Sequence, residues 1–190
     1  MPARHIFLTG DAGVGKSTIL SNYLAKSGLS ASGFSTYWSP ATQPSDPSLS
    51  VQPNANLYLC AYGNQQGNPE AAQYLLARRR NGHVKPVDDM TAVFDQHGTA
   101  ILDNLGVGDV IVMDEIGRLE SSATKFQAAI LRRLAGDIPV LGVLRSARGL
   151  YRPSITEFIS VIHSYPTVTV VEVTLQNRAS VLVKLLSSAY

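Results

Sequence analysis

His5-Ile6-Phe7-Leu8-Thr9-Gly10-Asp11-Ala12-Gly13-Val14-Gly15-Lys16-Ser17-Thr18 runs from a short apolar stretch through a glycine-rich turn into a helical pattern. Residues 10–17 fit G-x-x-x-x-G-K-[ST]. Each fixed residue type has a physical reason. Glycines let the backbone curl until several N–H groups point inward, making a concave anion site at a helix N-terminus. Lys16 would reach the β- and γ-phosphates of a nucleotide, and the Ser17 hydroxyl would complete the shell of a Mg²⁺ ion. Gly10, Asp11, Ala12, Gly13, Val14, Gly15, Lys16, Ser17 and Thr18 are therefore the candidate nucleotide-binding set, with Lys16 also a candidate catalytic group. Asp11 puts a carboxylate in the loop. Facing the nucleotide it would repel the phosphates, so it is expected to face solvent.

Beyond the loop, Ile19, Leu20, Tyr23 and Leu24 share one helical face and Gly28 is placed to end the helix. Ser35-Thr36-Tyr37-Trp38 and Leu57-Tyr58-Leu59-Cys60 read as strands around a Pro/Ser/Gln-rich loop. Glu70 to Arg80 reads as a helix ending in three arginines. Met90, Val93, Phe94, Ile101 and Leu105 form another helical stripe, with Gly106 suited to cap it. Val110-Ile111-Val112-Met113 is an uninterrupted apolar run, as in a parallel strand covered on both faces. A helix carrying Phe126, Ala129, Ile130 and Leu134 follows. Then come a strand over 139–144, a helix near 155–162, a strand over 168–173 and a closing helix from about Asn177. Alternating strands and helices predict an α/β fold with a mainly parallel central sheet flanked by helices. A length of 190 residues fits one domain over 1–190, since chains divide at roughly 100–200 residues.

The apolar run ends in Asp114-Glu115. A phosphate-loop enzyme needs a carboxylate near its metal, and a strand beside the one feeding the loop could deliver it. Asp114 suits that role toward Mg²⁺, and Glu115 could polarise a water for in-line attack on the γ-phosphate. Ligand sites in open α/β sheets lie at such strand ends. Acids also end many strands for no catalytic reason, so the phosphate loop is what lends this pair weight.

At these residues the chain resembles a family of small P-loop nucleoside triphosphatases, sometimes called cancer-related NTPase. Ile6 to Gly10, Gly15 to Thr18, Val112 to Glu120 with Phe126, Pro139 to Val143 and Asn177-Arg178 carry the resemblance. Asp-Glu-Ile-Gly followed by Glu120 is its specific part, because the phosphate loop is shared by many families. The resemblance implies a RecA-like sheet with a β-hairpin insertion, although residues 39–86 show little of the hairpin pattern. It implies slow hydrolysis of ATP, GTP and other nucleoside triphosphates with little base preference. It also carries Lys16, Ser17, Asp114 and Glu115 into the roles argued above.

Composition sets the remaining bounds. Sixteen basic against fourteen acidic residues leave a formal charge of +2, which argues against a nucleic-acid or anionic-lipid partner. One cysteine, Cys60, closes no intrachain disulfide, pointing to a reducing compartment. Residues 1–5 lack the apolar core of a signal peptide, and no stretch approaches the ~20 apolar residues of a membrane span. The chain is thus expected to be soluble and cytoplasmic, with no membrane partner and an undefined protein partner. His5, His83, His97 and His163 lack metal-ligand spacing. Arg78-Arg79-Arg80 reads as a basic lid, an arginine finger or a solvated helix end. Arg118 and Arg145 follow strand ends and could touch phosphate; alternatively Arg118 pairs with Glu120 and Arg145 is exposed. Tyr37 and Trp38 read as core residues before base-stacking ones, and Asn177 as a helix cap. A guanine-reading N-K-x-D is missing, since Thr124-Lys125-Phe126-Gln127 lacks the acid. Besides hydrolysis, two functions fit these residues: a small-molecule or nucleotide kinase, and a slow nucleotide-dependent switch or assembly module.

Overall fold

The computed structural model describes residues 5–40, 53–63, 73–146 and 153–187. Eight strands form one sheet: β1 His5–Thr9, β2 Ala31–Pro40, β3 Ala55–Ala61, β4 Gln73–Arg80, β5 His83–Pro86, β6 Val110–Ile116, β7 Val140–Leu144 and β8 Val168–Glu172. Their order is β5-β4-β3-β2-β6-β7-β1-β8. From β2 to β8 neighbouring strands are parallel, while β3, β4 and β5 add an antiparallel meander on the β2 side.

Helices cover both faces, and the apolar pattern of the strands divides accordingly. On one face α1 (Lys16–Ser27) and α6 (Arg178–Ser187) pack through Ile19, Leu20, Tyr23, Leu24, Val181 and Leu185. On the other lie α2 (Met90–Val93), a π-helical turn (Phe94–Gly98), α3 (Thr99–Asp103), α4 (Thr124–Leu134) and α5 (Pro153–Ser164). β6 feeds both cores: Ile111 and Met113 face the larger, Val110 and Val112 the smaller. That explains its unbroken hydrophobicity. Phe126 of α4 centres the larger core, with ring centroids 5.1 Å from Phe34 and 5.2 Å from Phe94. Asp95 caps α4 from a distance, its Oδ1 accepting from the N–H groups of Lys125 (2.9 Å) and Phe126 (3.0 Å).

Three expectations change. Residues 73–80 are a strand, not the end of a helix, and residues 70–72 lie outside the described residues. The register of β3 and β4 slips between Leu57 and Tyr58, so Leu76 and Ala77 are both fully buried. This bulge breaks the period-two pattern that would identify a strand. The stripe from Met90 is interrupted by the π-helical turn, and the helix ends at Asp103 with Asn104 in the cap position, before Gly106. The insertion is a three-strand meander, larger than one hairpin. The Pro/Ser/Gln-rich loop falls mostly on residues 41–52, and the leader reading mostly on 1–4; both lie outside the described residues. Among the described residues no helix is long and apolar enough to cross a membrane.

Candidate active site

Two backbone features aim the loop after β1. Gly10 has φ +136°, and a Cβ there would lie 2.2 Å from the Val173 carbonyl oxygen. Only glycine fits, because the Val173 N–H also donates to Thr9 O at 2.7 Å and holds the two strand ends together. Gly15 has φ +97° at the N-cap of α1, turning the chain so that the first amides of the helix face the loop. Lys16 is only 7% exposed. Its ammonium donates to the carbonyl oxygens of Gly10 (2.9 Å) and Asp11 (2.8 Å), across the mouth of the turn. Asp11, Ala12 and Gly13 are exposed, as expected for Asp11, and Val14 is buried in the smaller core. Thr18 is exposed beside Ser17.

The acids do not come from the strand next to β1. β7 lies between β1 and β6, so β6 is two strand spacings away, roughly 10 Å. α1 closes that gap. Ser17 Oγ donates to Asp114 Oδ1 at 3.1 Å, bringing together residues 97 positions apart in sequence. Burial pushes the Asp114 carboxyl up to about 6; the Ser17 bond and Lys16 pull it down, and the charge of Glu115 raises it. A buried carboxylate and a serine hydroxyl are hard oxygen donors that fit Mg²⁺. A divalent cation there would also restore the ionised form that burial opposes. The peptide joining Asp114 to Glu115 is cis. Glu115 is about one-third exposed, and its Oε1 lies 3.6 Å from the Arg145 guanidinium.

Tyr62 escapes sequence reasoning, and Glu120 takes a partner that the sequence does not indicate. Tyr62 follows β3, and its phenol bonds to Ser21 on the exposed edge of α1; burial and the Asp114 charge raise it, while the Ser21 bond lowers it. Nothing in Ala61-Tyr62-Gly63 signals that contact. Glu120 is 2% exposed, and its Oε2 accepts the Gly117 N–H at 3.0 Å. Arg118 is exposed, so the expected Arg118–Glu120 pair gives way to this main-chain bond. Burial pushes Glu120 up to about 7, offset by hydrogen bonds from its own and the Gly117 N–H groups; Glu115 raises it further and Arg145 lowers it. A carboxyl whose folded pKa is raised favours folding fully below its unfolded pKa, about 4.5, and loses that contribution as pH climbs through about 7. Glu120→Gln keeps an acceptor for Gly117 without a charge. Its Tm relative to the parent should therefore be higher at pH 8 than at pH 5; an identical pH dependence for both chains would contradict the buried-charge account.

Arg79 lies 4.0 Å above the Trp38 ring, and Arg80 donates to Ala55 O and Asn56 Oδ1. In register, Arg79 is level with Ala55 and Pro40, five residues past Ser35, which pairs with Asp114. The arginines thus stand roughly 17 Å beyond the acids along the strand direction. Trp38 packs against the larger core, and Tyr37 donates to Gln73 Oε1 at 2.6 Å. His5 is buried, accepting the Val140 N–H at 3.1 Å, and His97 stacks on Tyr74 at 3.7 Å. Thr174, not Asn177, takes the N-cap role before α6: Thr174 Oγ1 accepts from Asn177 N, and Asn177 Oδ1 accepts in return from Thr174 N.

A sequence profile of the NTPase family matches residues 69–186. The chain belongs to that family. The match takes in the acid pair and the strands and helices around it, and starts after the phosphate loop. No curated protein matches the chain. Two solved structures share the fold of this NTPase. THEP1 from the hyperthermophile Aquifex aeolicus is 19% identical with a TM-score of 0.62, covering 97% of this chain and 98% of its own. A human cancer-related nucleoside triphosphatase is 24% identical with a TM-score of 0.64, covering 98% and 97%. This NTPase is accordingly a P-loop hydrolase of nucleoside triphosphates.

Proposed function

We propose Mg²⁺-dependent hydrolysis of ATP, GTP and other nucleoside triphosphates to diphosphate and phosphate, with little base selectivity, in the cytoplasm. The observation that carries it is the 3.1 Å contact between Ser17 and Asp114, which joins loop and acid strand into one oxygen-lined site. Ser17 and Asp114 would hold Mg²⁺, which when bound supplies charge neutralisation at the β- and γ-phosphate oxygens. Loop amides from Gly10 to Thr18 bind the polyphosphate and fix its angle. Lys16 exchanges its carbonyl partners for phosphate oxygens, a stronger charge-assisted bond. Glu115 accepts a proton from water as the water oxygen bonds to the γ-phosphorus and the bond to the β-bridging oxygen breaks. The electron pair leaves on the diphosphate. Glu115 then returns its proton to solvent. Low base selectivity is what the family resemblance implies.

Phosphate release from ATP, GTP, CTP and UTP, with Mg²⁺ or EDTA and with or without candidate hydroxyl acceptors, tests this reading. Comparable release from all four, abolished by EDTA and indifferent to acceptors, is expected. Negligible release without an acceptor and a large rise with one would make the chain a kinase instead. Tight binding with almost no turnover under any condition would make it a switch.

A further inference from the structure

Arg145 is the first residue past the C-terminal end of β7, the strand lying between β1 and β6. It therefore emerges between the phosphate loop and the acid pair, one strand spacing of roughly 4.8 Å from each strand. Its backbone is pinned there, the N–H donating to Ile116 O at 2.8 Å. Its side chain is also accommodated. A Cβ on Gly117 would lie 3.2 Å from both Cβ and Cδ of Arg145 and 3.5 Å from Glu115 Oε1. The bare glycine thus leaves a slot for the arginine stem, and the buried Glu120 holds the Gly117 N–H in place. At the end of that slot the guanidinium meets Glu115, the group that would activate water. The 3.6 Å separation exceeds a hydrogen bond, with the two side chains 49% and 35% exposed. Such a half-solvated, single-point contact contributes little, so a more highly charged phosphate can displace it.

Building on the hydrolysis reading above, we propose that Arg145 is a catalytic arginine supplied within the chain: it leaves Glu115 for the γ-phosphoryl oxygens when a triphosphate binds. Two consequences follow from the same movement. Its planar fork neutralises charge on the transferring phosphoryl group. Leaving Glu115 also takes the cation away from that carboxylate, which then faces the water whose proton it accepts. A diphosphate lacks the oxygens that draw Arg145 away.

The test uses Arg145→Ala, Arg145→Lys and, as a control, Arg132→Ala, whose side chain pairs with Asp103 on the far helices. Affinities for a non-hydrolysable triphosphate and for diphosphate are measured by competition against a fluorescent nucleotide, and turnover by phosphate release. Arg145→Ala should lower kcat about 10²-fold, the usual effect of losing one preorganised donor, and cut the triphosphate-over-diphosphate preference about tenfold. Arg145→Lys should recover part of the preference but little of the rate, because an ammonium lacks the fork. Arg132→Ala should match the parent in both. A parental preference in Arg145→Ala overturns the proposal, even if the rate falls, since an arginine that only props Glu115 gives that result. The affinity ratio is read without turnover. It therefore still judges Arg145 if Glu115→Gln proves fully active and the hydrolytic mechanism itself fails.

Discussion

Lys16→Ala loses triphosphate-dependent phosphate release by roughly 10³-fold or more and keeps its fold. The first part follows from the partners of the ammonium. It is nearly buried, yet its described partners are two loop carbonyls, Gly10 O and Asp11 O. A cation that satisfies itself with main-chain oxygens is poised to trade them for phosphate oxygens of far higher charge density. Alanine removes the positive charge facing the β- and γ-phosphates, both in the bound state and as charge shifts during transfer, so affinity and rate both suffer. The fold is spared because the vacated carbonyls border the exposed residues Asp11, Ala12 and Gly13, where water can replace the donor. α1 keeps Ile19, Leu20, Tyr23 and Leu24 in the core. Far-UV circular dichroism and a denaturant midpoint close to the parent's, together with absent nucleotide binding, are the expected measurements. Hydrolysis at the parental rate would remove the loop from the mechanism.

Glu115→Gln retains triphosphate binding and loses turnover by about 10²–10⁴-fold, the usual contribution of a general base. Glutamine has nearly the same shape and still offers an oxygen toward Arg145, but it cannot accept a proton from water. The contrast with Asp114 is what makes the assignment testable. Asp114 is 7% exposed and bonded to Ser17, placed to hold rather than to react. Glu115 is the solvent-reachable member of the pair. Single-turnover phosphate release combined with fluorescent-nucleotide binding separates the effects: bound nucleotide without product is expected. Full activity would reassign Glu115 to a structural part, and loss of binding would make it a ligand-holding residue.

Much of this architecture is legible in one dimension because local physics writes it there. The glycine spacing before Lys16, the apolar run of β6 and the stripe of α4 each reflect contacts within a few residues or a uniformly buried environment. β4 was hidden for the opposite reason. Its bulge against β3 places consecutive residues Leu76 and Ala77 inward, and a bulge is set by the partner strand. Glu120 reads as the end of the Asp-Glu-Ile-Gly signature or as a partner for Arg118, yet it is buried with the Gly117 N–H on its carboxylate.

Arg145 shows the same limit. In sequence it is one charge after a strand, thirty positions from Glu115; in space its guanidinium lies 3.6 Å from that acid. Residue types and short spacings by themselves determined that this chain curls a loop for phosphate and ends a buried strand in two acids, since backbone freedom and burial are local demands. Which strand lies between them and which arginine leans over Glu115 were decided only by tertiary structure. Strand order and side-chain reach across a sheet arise from packing between distant segments, and no local pattern encodes them.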